Sequence, residues 1–218
     1  MRSRGLLIIG IGAIAASLLL AVGGIGAGRM TGWSIGAPGG MMGRAYGGEN
    51  GDIGMDRAVS IAQDAAASYS GVSLVADEVI EFTDNYYASI REKSTGIGAF
   101  EILIDRATGS VIREPGPDMM WNAKYSPMGG GMMGGFGATS SRPMTVTAQQ
   151  AQDAAQRWLD ANRAGASVKA PDSFYGFYTV DFEKTGELVG MVSVNGYTGQ
   201  VWYHSWHGIF IQMKDLGA

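Results

Sequence analysis

Two stretches of the chain repeat one pattern, in which an apolar strand leads through a tight turn into a second short strand. Their sequences are IDRATGSV at residues 104–111 and VNGYTGQV at residues 194–201. In each stretch Asp or Asn opens the turn and can accept backbone hydrogen bonds, and a later glycine tolerates the positive φ that such turns require. A repeated hairpin predicts a fold that contains two similar units.

A helical pattern precedes each hairpin. Apolar residues recur at the spacing of one buried helix face at Ala58, Ile61, Ala62, Ala65 and Tyr69, and again at Ala151, Ala154, Ala155, Trp158 and Leu159. Thr147 and Gln150 predict a capping box at the start of the second helix. Alternating residues after each helix predict strands with one buried face. We therefore expect an α+β fold with two repeats, at residues 55–113 and 145–212, each a helix packed on a small antiparallel sheet.

The order of helix, strands and a final Asp/Asn-x-x-Thr-Gly-x-Val hairpin resembles the PepSY domain. This small module is found in propeptides of secreted metalloproteases and in membrane-anchored extracytoplasmic proteins. The hairpins at 105–111 and 195–201 carry the resemblance, and residues 115–122 and 202–208 resemble segments of tandem PepSY membrane proteins of bacteria and archaea. The resemblance implies binding or regulation, with a protease or an envelope complex as the expected protein partner, and it implies no catalytic residues.

The beginning of the chain is strongly apolar. Residues 5–28 contain no charged side chain, and a helix of this length reaches across the roughly 30 Å of a bilayer core. Arg2 and Arg4 precede it, so the positive-inside rule places residues 1–4 in the cytoplasm. We expect a single-pass transmembrane helix in the cell membrane with an extracytoplasmic domain after it. The alternative is a cleaved signal peptide, whose apolar region usually spans only about 7–15 residues.

Glycine- and methionine-rich segments at 29–54 and 114–144 separate these units. The chain has 35 glycines and 13 methionines, and this composition predicts flexible linkers. Thioether sulfur is a soft ligand that favours Cu(I), so paired methionines in such a segment are candidate copper ligands. The candidates are Met119, Met120, Met132 and Met133. The alternative is that methionine fills irregular gaps by packing on aromatic rings.

The only two histidines, His204 and His207, form the other part of the candidate metal site. Imidazole binds copper, zinc or haem iron, and this pair can bind one ion if the chain turns between them. In a straight strand, residues three apart point to opposite faces, which favours an aromatic cluster with the histidines at its edge. Because the chain has no cysteine and no third histidine, we expect linker methionines to complete any such site. We expect no cofactor other than copper.

The charge and the missing motifs argue against nucleic-acid binding and catalysis. There are 16 basic and 20 acidic residues, giving a net charge of −4, and the absence of a basic cluster argues against nucleic-acid binding. The absence of cysteine excludes disulfides, thiolate metal sites and cysteine nucleophiles. The carboxylates are densest at residues 77–84 without a paired catalytic arrangement, and no G-x-S-x-G nucleophile elbow occurs. We therefore expect a protein that is not an enzyme.

The aromatic segment after the second hairpin is the expected contact surface. Trp202, Trp206 and Phe210 offer large, rigid apolar area, which is typical of interface hot spots. The sequence thus predicts an extracytoplasmic binding or regulatory module, or an accessory subunit of an envelope membrane complex. A copper-binding protein that uses the methionine-rich linkers and the histidine pair is the alternative.

Overall fold

A computed structural model describes residues 51–127 and 143–217 of the chain. The helices in these residues are α1 (Met55–Ala67), α2 (Pro117–Met120) and α3 (Ala148–Asn162). The strands are β1 (Leu74–Phe82), β2 (Tyr86–Glu92), β3 (Gly98–Ile104), β4 (Val111–Arg113), β5 (Ser167–Val168), β6 (Asp172–Ser173), β7 (Phe177–Lys184), β8 (Glu187–Asn195), β9 (Val201–Tyr203) and β10 (Phe210–Asp215).

The strands form two antiparallel sheets. The first sheet has the order β10-β1-β2-β3-β4, and the second has the order β5-β7-β8-β9, with β6 also paired to β7. Strands β1 to β4 are neighbours along the chain, whereas β10 comes from its far end and pairs with β1 from Glu78↔Asp215 to Phe82↔Phe210. The last strand of the chain therefore completes the first sheet.

Each long helix covers one face of a sheet. The small side chain of Ala62 on α1 lets the helix approach Ile90 of β2 in a buried cluster. On α3, Ala155 lies in a second buried cluster with Val180 of β7. Thr147 makes both hydrogen bonds of the predicted capping box at the start of α3, so that prediction is confirmed.

The other faces of the two sheets pack against each other. The apolar part of this inner layer is a buried cluster of Ile80, Phe82, Tyr87, Leu103 and Met191. Met191 comes from the second sheet and the other four from the first. A polar contact continues the layer, because Thr179 on β7 donates to the Glu101 carboxyl on β3 at 2.6 Å. The layers therefore follow the order α1, first sheet, second sheet, α3.

The β3–β4 and β8–β9 hairpins have the same internal geometry. In both, the short strand pairs with its longer neighbour in the same register relative to the turn. Asp105 accepts hydrogen bonds from the backbone N–H groups two and three residues later, and Asn195 does the same in the second turn. The predicted turn chemistry is confirmed, and the residues that follow β4 and β9 occupy matching places.

The predicted fold class needs correction. The expected architecture, a transmembrane helix followed by two separate helix-on-sheet repeats, is wrong as stated, because the second repeat gives up β10 to the first sheet. Two antiparallel sheets with few helices fit the α+β class in part. Within the described ranges, no helix is long and apolar enough to cross a membrane. The predicted membrane span at 5–28, like all of residues 1–50, lies outside the described residues.

The first part of the predicted linker 114–144 packs against the first sheet. The buried side chain of Asn122 donates to the carbonyl of Ala99 at 2.7 Å. Arg113 donates to the buried Asp118 carboxylate, also at 2.7 Å. Residues 114–127 therefore belong to the folded unit, and residues 128–142 lie outside the described residues.

We expect Met191→Ala to destabilise the protein by about 2–5 kcal/mol, because it leaves a cavity in the layer between the sheets. The matched control is Met213→Ala on β10, where the side chain is 41% exposed and the expected loss is below about 0.5 kcal/mol. Urea unfolding of both variants measures the difference. Equal losses would contradict the face-to-face packing of the sheets.

Candidate metal centre

Glu114 and His204 occupy matching places at the ends of the two hairpins. Glu114 follows β4, and its N–H donates to the carbonyl of Glu101 at 3.0 Å. His204 follows β9, and its N–H donates to the carbonyl of Met191 at 3.1 Å. Glu101 and Met191 face the inner layer, so the residues opposite them do so as well. Both side chains are buried, with Glu114 0% and His204 2% exposed.

His207 reaches the same layer because the chain turns after β9, which ends at Tyr203. The N–H of Asp84 donates to the His207 carbonyl at 3.2 Å, and the N–H of Thr83 donates to the Ile209 carbonyl at 2.8 Å. These bonds hold the turn against the end of β1. The straight-strand alternative, which would send the two imidazoles to opposite faces, therefore does not apply.

Ligand atoms of Glu114, His204 and His207 converge in the inner layer. Oε1 of Glu114 lies 3.2 Å from Nδ1 of His204 and 3.0 Å from Nε2 of His207. One ligand atom from each of the three residues lies within 4.8 Å of the others. Although these atoms are close together, three of the group's atoms have no properly oriented hydrogen-bond partner among the described residues. They are Nδ1 of His204, Nε2 of His207 and Oε2 of Glu114. A buried polar atom left in this way costs about 1–3 kcal/mol, and this group could hold a metal ion.

The Asn85 side chain fixes the proton of His207. Its Nδ2 donates to the Trp206 carbonyl at 2.8 Å, which turns Oδ1 toward Nδ1 of His207 at 3.0 Å. An amide oxygen can only accept, so Nδ1 of His207 carries the hydrogen. In the neutral ring, Nε2 then presents a lone pair to the Glu114 carboxylate. Two lone pairs at this distance repel each other unless a proton or a cation lies between them.

A chain of hydroxyl groups orients His204. Thr179 gives its one hydroxyl hydrogen to Glu101 at 2.6 Å, so it accepts from Ser193 at 3.3 Å. Ser193 in turn accepts from Nε2 of His204 at 2.9 Å. This arrangement uses all three contacts between the hydroxyl groups and the ring, and in the neutral ring it leaves a lone pair on Nδ1, the atom that faces Glu114. Such second-shell partners are typical of metal-binding histidines, in which they fix the tautomer and the ring orientation.

The charge of the site lies on Glu114. Burial by itself raises the pKa of the Glu114 carboxyl, but the charges of His204 and His207 in their protonated forms, and hydrogen bonds from them, outweigh burial and hold this pKa well below its usual value. Burial lowers the pKa of His207, although Glu114 opposes this effect. Burial and the charge of Glu114 raise the pKa of Glu101 well above its ordinary value. The group therefore favours an ionised Glu114, whereas the neighbouring Glu101 is shifted toward its protonated form.

Aromatic rings separate the group from water. Phe82 stacks on His207 with a centroid distance of 4.5 Å, and Trp206 stacks on His204 at 4.8 Å. The indole N–H of Trp206 also donates to Glu114 Oε1 at 3.1 Å. Electrostatic attraction is stronger in such an apolar setting than in water, so a cation would interact strongly with Glu114 here.

The predicted methionine ligands lie elsewhere or outside the described residues. Met120 is 55% exposed, whereas Glu114, His204 and His207 are buried. Met119 is half-buried, and its backbone carbonyl accepts a hydrogen bond from Ser126. Met132 and Met133 lie in the part of the chain that is not described. The third ligand atom that the structure brings to the histidines is a carboxylate oxygen, where a thioether sulfur was expected.

The three residues of the expected contact surface are half-buried. Trp202 packs edge-on against Trp121 at a centroid distance of 5.9 Å, and Phe210 packs edge-on against Phe82 at 6.3 Å. Trp206 covers the candidate metal centre. These contacts hold the fold together, and a protein partner for this surface stays a prediction.

Sequence reasoning did not identify Glu114, because this residue was assigned to the start of a flexible linker. The repeat itself carries the missing signal. Residues 104–111 align with residues 194–201. When this alignment is continued past the second strand of each hairpin, Glu114 aligns with His204.

We expect acid to destabilise the metal-free protein, partly through His207. Because the folded state lowers the pKa of this imidazole from 6.5, the unfolded chain binds more protons below that pH, and the free energy of unfolding falls. Urea unfolding with a chelator, from about pH 7.5 to about pH 5, should show a larger loss for the wild type than for His207→Gln. The same pH dependence in both proteins would contradict this assignment.

Comparison with known proteins adds no relative, since no protein-family model, no curated protein and no solved structure matches the chain. The resemblance to the PepSY domain therefore stays a prediction from the sequence.

Proposed function

We propose that this protein binds a divalent transition-metal ion through Glu114, His204 and His207. One observation carries the proposal: Nδ1 of His204 and Nε2 of His207 converge on one buried carboxylate and have no hydrogen-bond partner among the described residues. A cation between the three ligand atoms would bind all of them, and it would give the unpartnered buried atoms their partners.

The donor set favours Cu²⁺ or Zn²⁺. Two imidazole nitrogens and a carboxylate oxygen suit zinc, copper, iron and nickel, and among divalent ions Cu²⁺ binds most tightly to such ligands. Three protein ligands leave a fourth position for water or another small ligand, as in many zinc sites. Cu(I) held by linker methionines has less support, because Met120 is exposed.

The ion would connect the two halves of the fold. Glu114 follows the last strand of the first hairpin unit, and both histidines follow the last strand of the second. Because the ligands come together only in the folded chain, binding would stabilise that state by mass action, by about 2.7 kcal/mol when the ion is at 100 times its Kd. A role as a binding or regulatory module for another protein remains a prediction from the sequence.

We expect Glu114→Gln to weaken Zn²⁺ and Cu²⁺ binding by more than about 100-fold, which exceeds the loss typical of second-shell changes. A competition titration against a chromogenic chelator measures the affinity. Elemental analysis of the dialysed protein should give one bound ion per wild-type chain.

The matched control is Glu92→Gln, which makes the same chemical change at another buried carboxyl, 2% exposed. Glu92 bonds to Lys124 and Tyr125 and lies outside the converging group, so this variant should keep its affinity within about tenfold of the wild type. Equal affinities of the Glu114→Gln and Glu92→Gln variants would refute the assignment, as would a wild-type chain that binds neither ion.

A further inference from the structure

A second group of carboxylates lies between the sheets, outside the converging group of Glu114, His204 and His207. Asp77 and Glu78 come from β1, Asp172 from β6 and Asp181 from β7. Asp181 is 9% exposed, Asp77 and Glu78 are half-buried, and Asp172 is exposed at the edge of the group. Burial first, and then the charges of the other three carboxylates, raise the pKa of Glu78 to about 8. Four acidic groups therefore interact across the seam between the two sheets.

The positive charges beside this group do not balance it. Arg91 forms an ion pair with Asp77, and Lys169 lies 3.8 Å from Asp181. Asp215 of β10 adds a further negative charge near Asp77. Partly buried like charges repel more strongly than charges in water, so this seam attracts a proton or a cation.

An independent observation concerns Ser89 on β2. Its side chain is 7% exposed, and its hydroxyl has no hydrogen-bond partner among the described residues. Ser89 stands opposite Glu78 in the strand register. Together with Asp77, Asp172 and Arg91, the ion-pair partner of Asp77, it lines a cavity of about 20 Å³. Such a volume suffices for one water molecule or one ion.

We propose that this cavity binds a hard divalent cation, Ca²⁺, through the carboxylates of Asp77 and Asp172 and the hydroxyl of Ser89. All three are oxygen ligands, which Ca²⁺ prefers, and its irregular coordination tolerates ligands from different strands and bound water. Glu78 and Asp181 add negative charge at longer range. The site goes beyond the proposed Cu²⁺ or Zn²⁺ centre, from which it differs in ligand type and in position.

The test is a thermal-unfolding titration of the purified full-length chain with CaCl₂, with NaCl at matched ionic strength to account for screening. The wild type should show a saturable rise in Tm with CaCl₂ that NaCl does not reproduce. In Asp172→Asn the apparent Kd should be weaker by about tenfold or more, because the site loses a charged ligand. Ser89→Ala should also weaken the response. Removing a carboxylate can itself change Tm, so the readout is the Ca²⁺-dependent shift of each variant relative to its own starting value.

Two controls keep the result specific. Asp64→Asn removes an exposed carboxylate on α1 and should respond to Ca²⁺ like the wild type. Glu114→Gln should also respond normally, which separates this site from the proposed transition-metal centre. A wild type without a saturable response would overturn the proposal, and so would Asp172→Asn and Ser89→Ala variants that respond as the wild type does.

Discussion

The structure depends on the burial of polar and ionisable groups between two packed sheets. The inner layer contains an apolar cluster around Ile80 and Met191, which supplies the hydrophobic contribution to packing. The rest of the layer contains Glu101, Glu114 and both histidines, all nearly or fully inaccessible to water. Such groups are tolerated only when hydrogen bonds, protons or ions satisfy them. The positions of the hydroxyl chain, the aromatic walls and the carboxylate seam all follow from this requirement.

Those parts of the fold that depend on local sequence could be predicted. Asp105 and Asn195 open their turns as expected, and Thr147 caps α3, because each of these residues bonds to backbone a few positions away. The alternation in β2 and β7 also identified strands, since it depends only on the two-residue period of a strand. The prediction that only one face of each is buried is wrong, because the two sheets cover each other and bury Tyr87 and Thr179 as well.

Features that depend on pairing far along the chain could not be predicted. Nothing in the sequence of β10 indicates that it pairs with β1 instead of its own hairpin unit. Glu114 follows a three-residue strand in a glycine- and proline-containing context, so composition pointed to a linker. The histidine pair was recognised as a candidate, but the turn that brings His207 beside His204 rests on contacts with the distant Asp84 and Asn85. The geometry of a site built from several strands is a property of their packing.

The position of β10 has a consequence for the biosynthesis of this protein. As the chain leaves the ribosome, β1 to β4 appear before the strand that covers the free edge of β1, which follows all the other described strands. Until then β1 presents unpaired backbone groups, which in other proteins template association between chains. Folding that waits for a contact between distant segments is slow. Translation must therefore pass β10 before the nascent chain can hide this edge, and products truncated before β10 would carry it exposed.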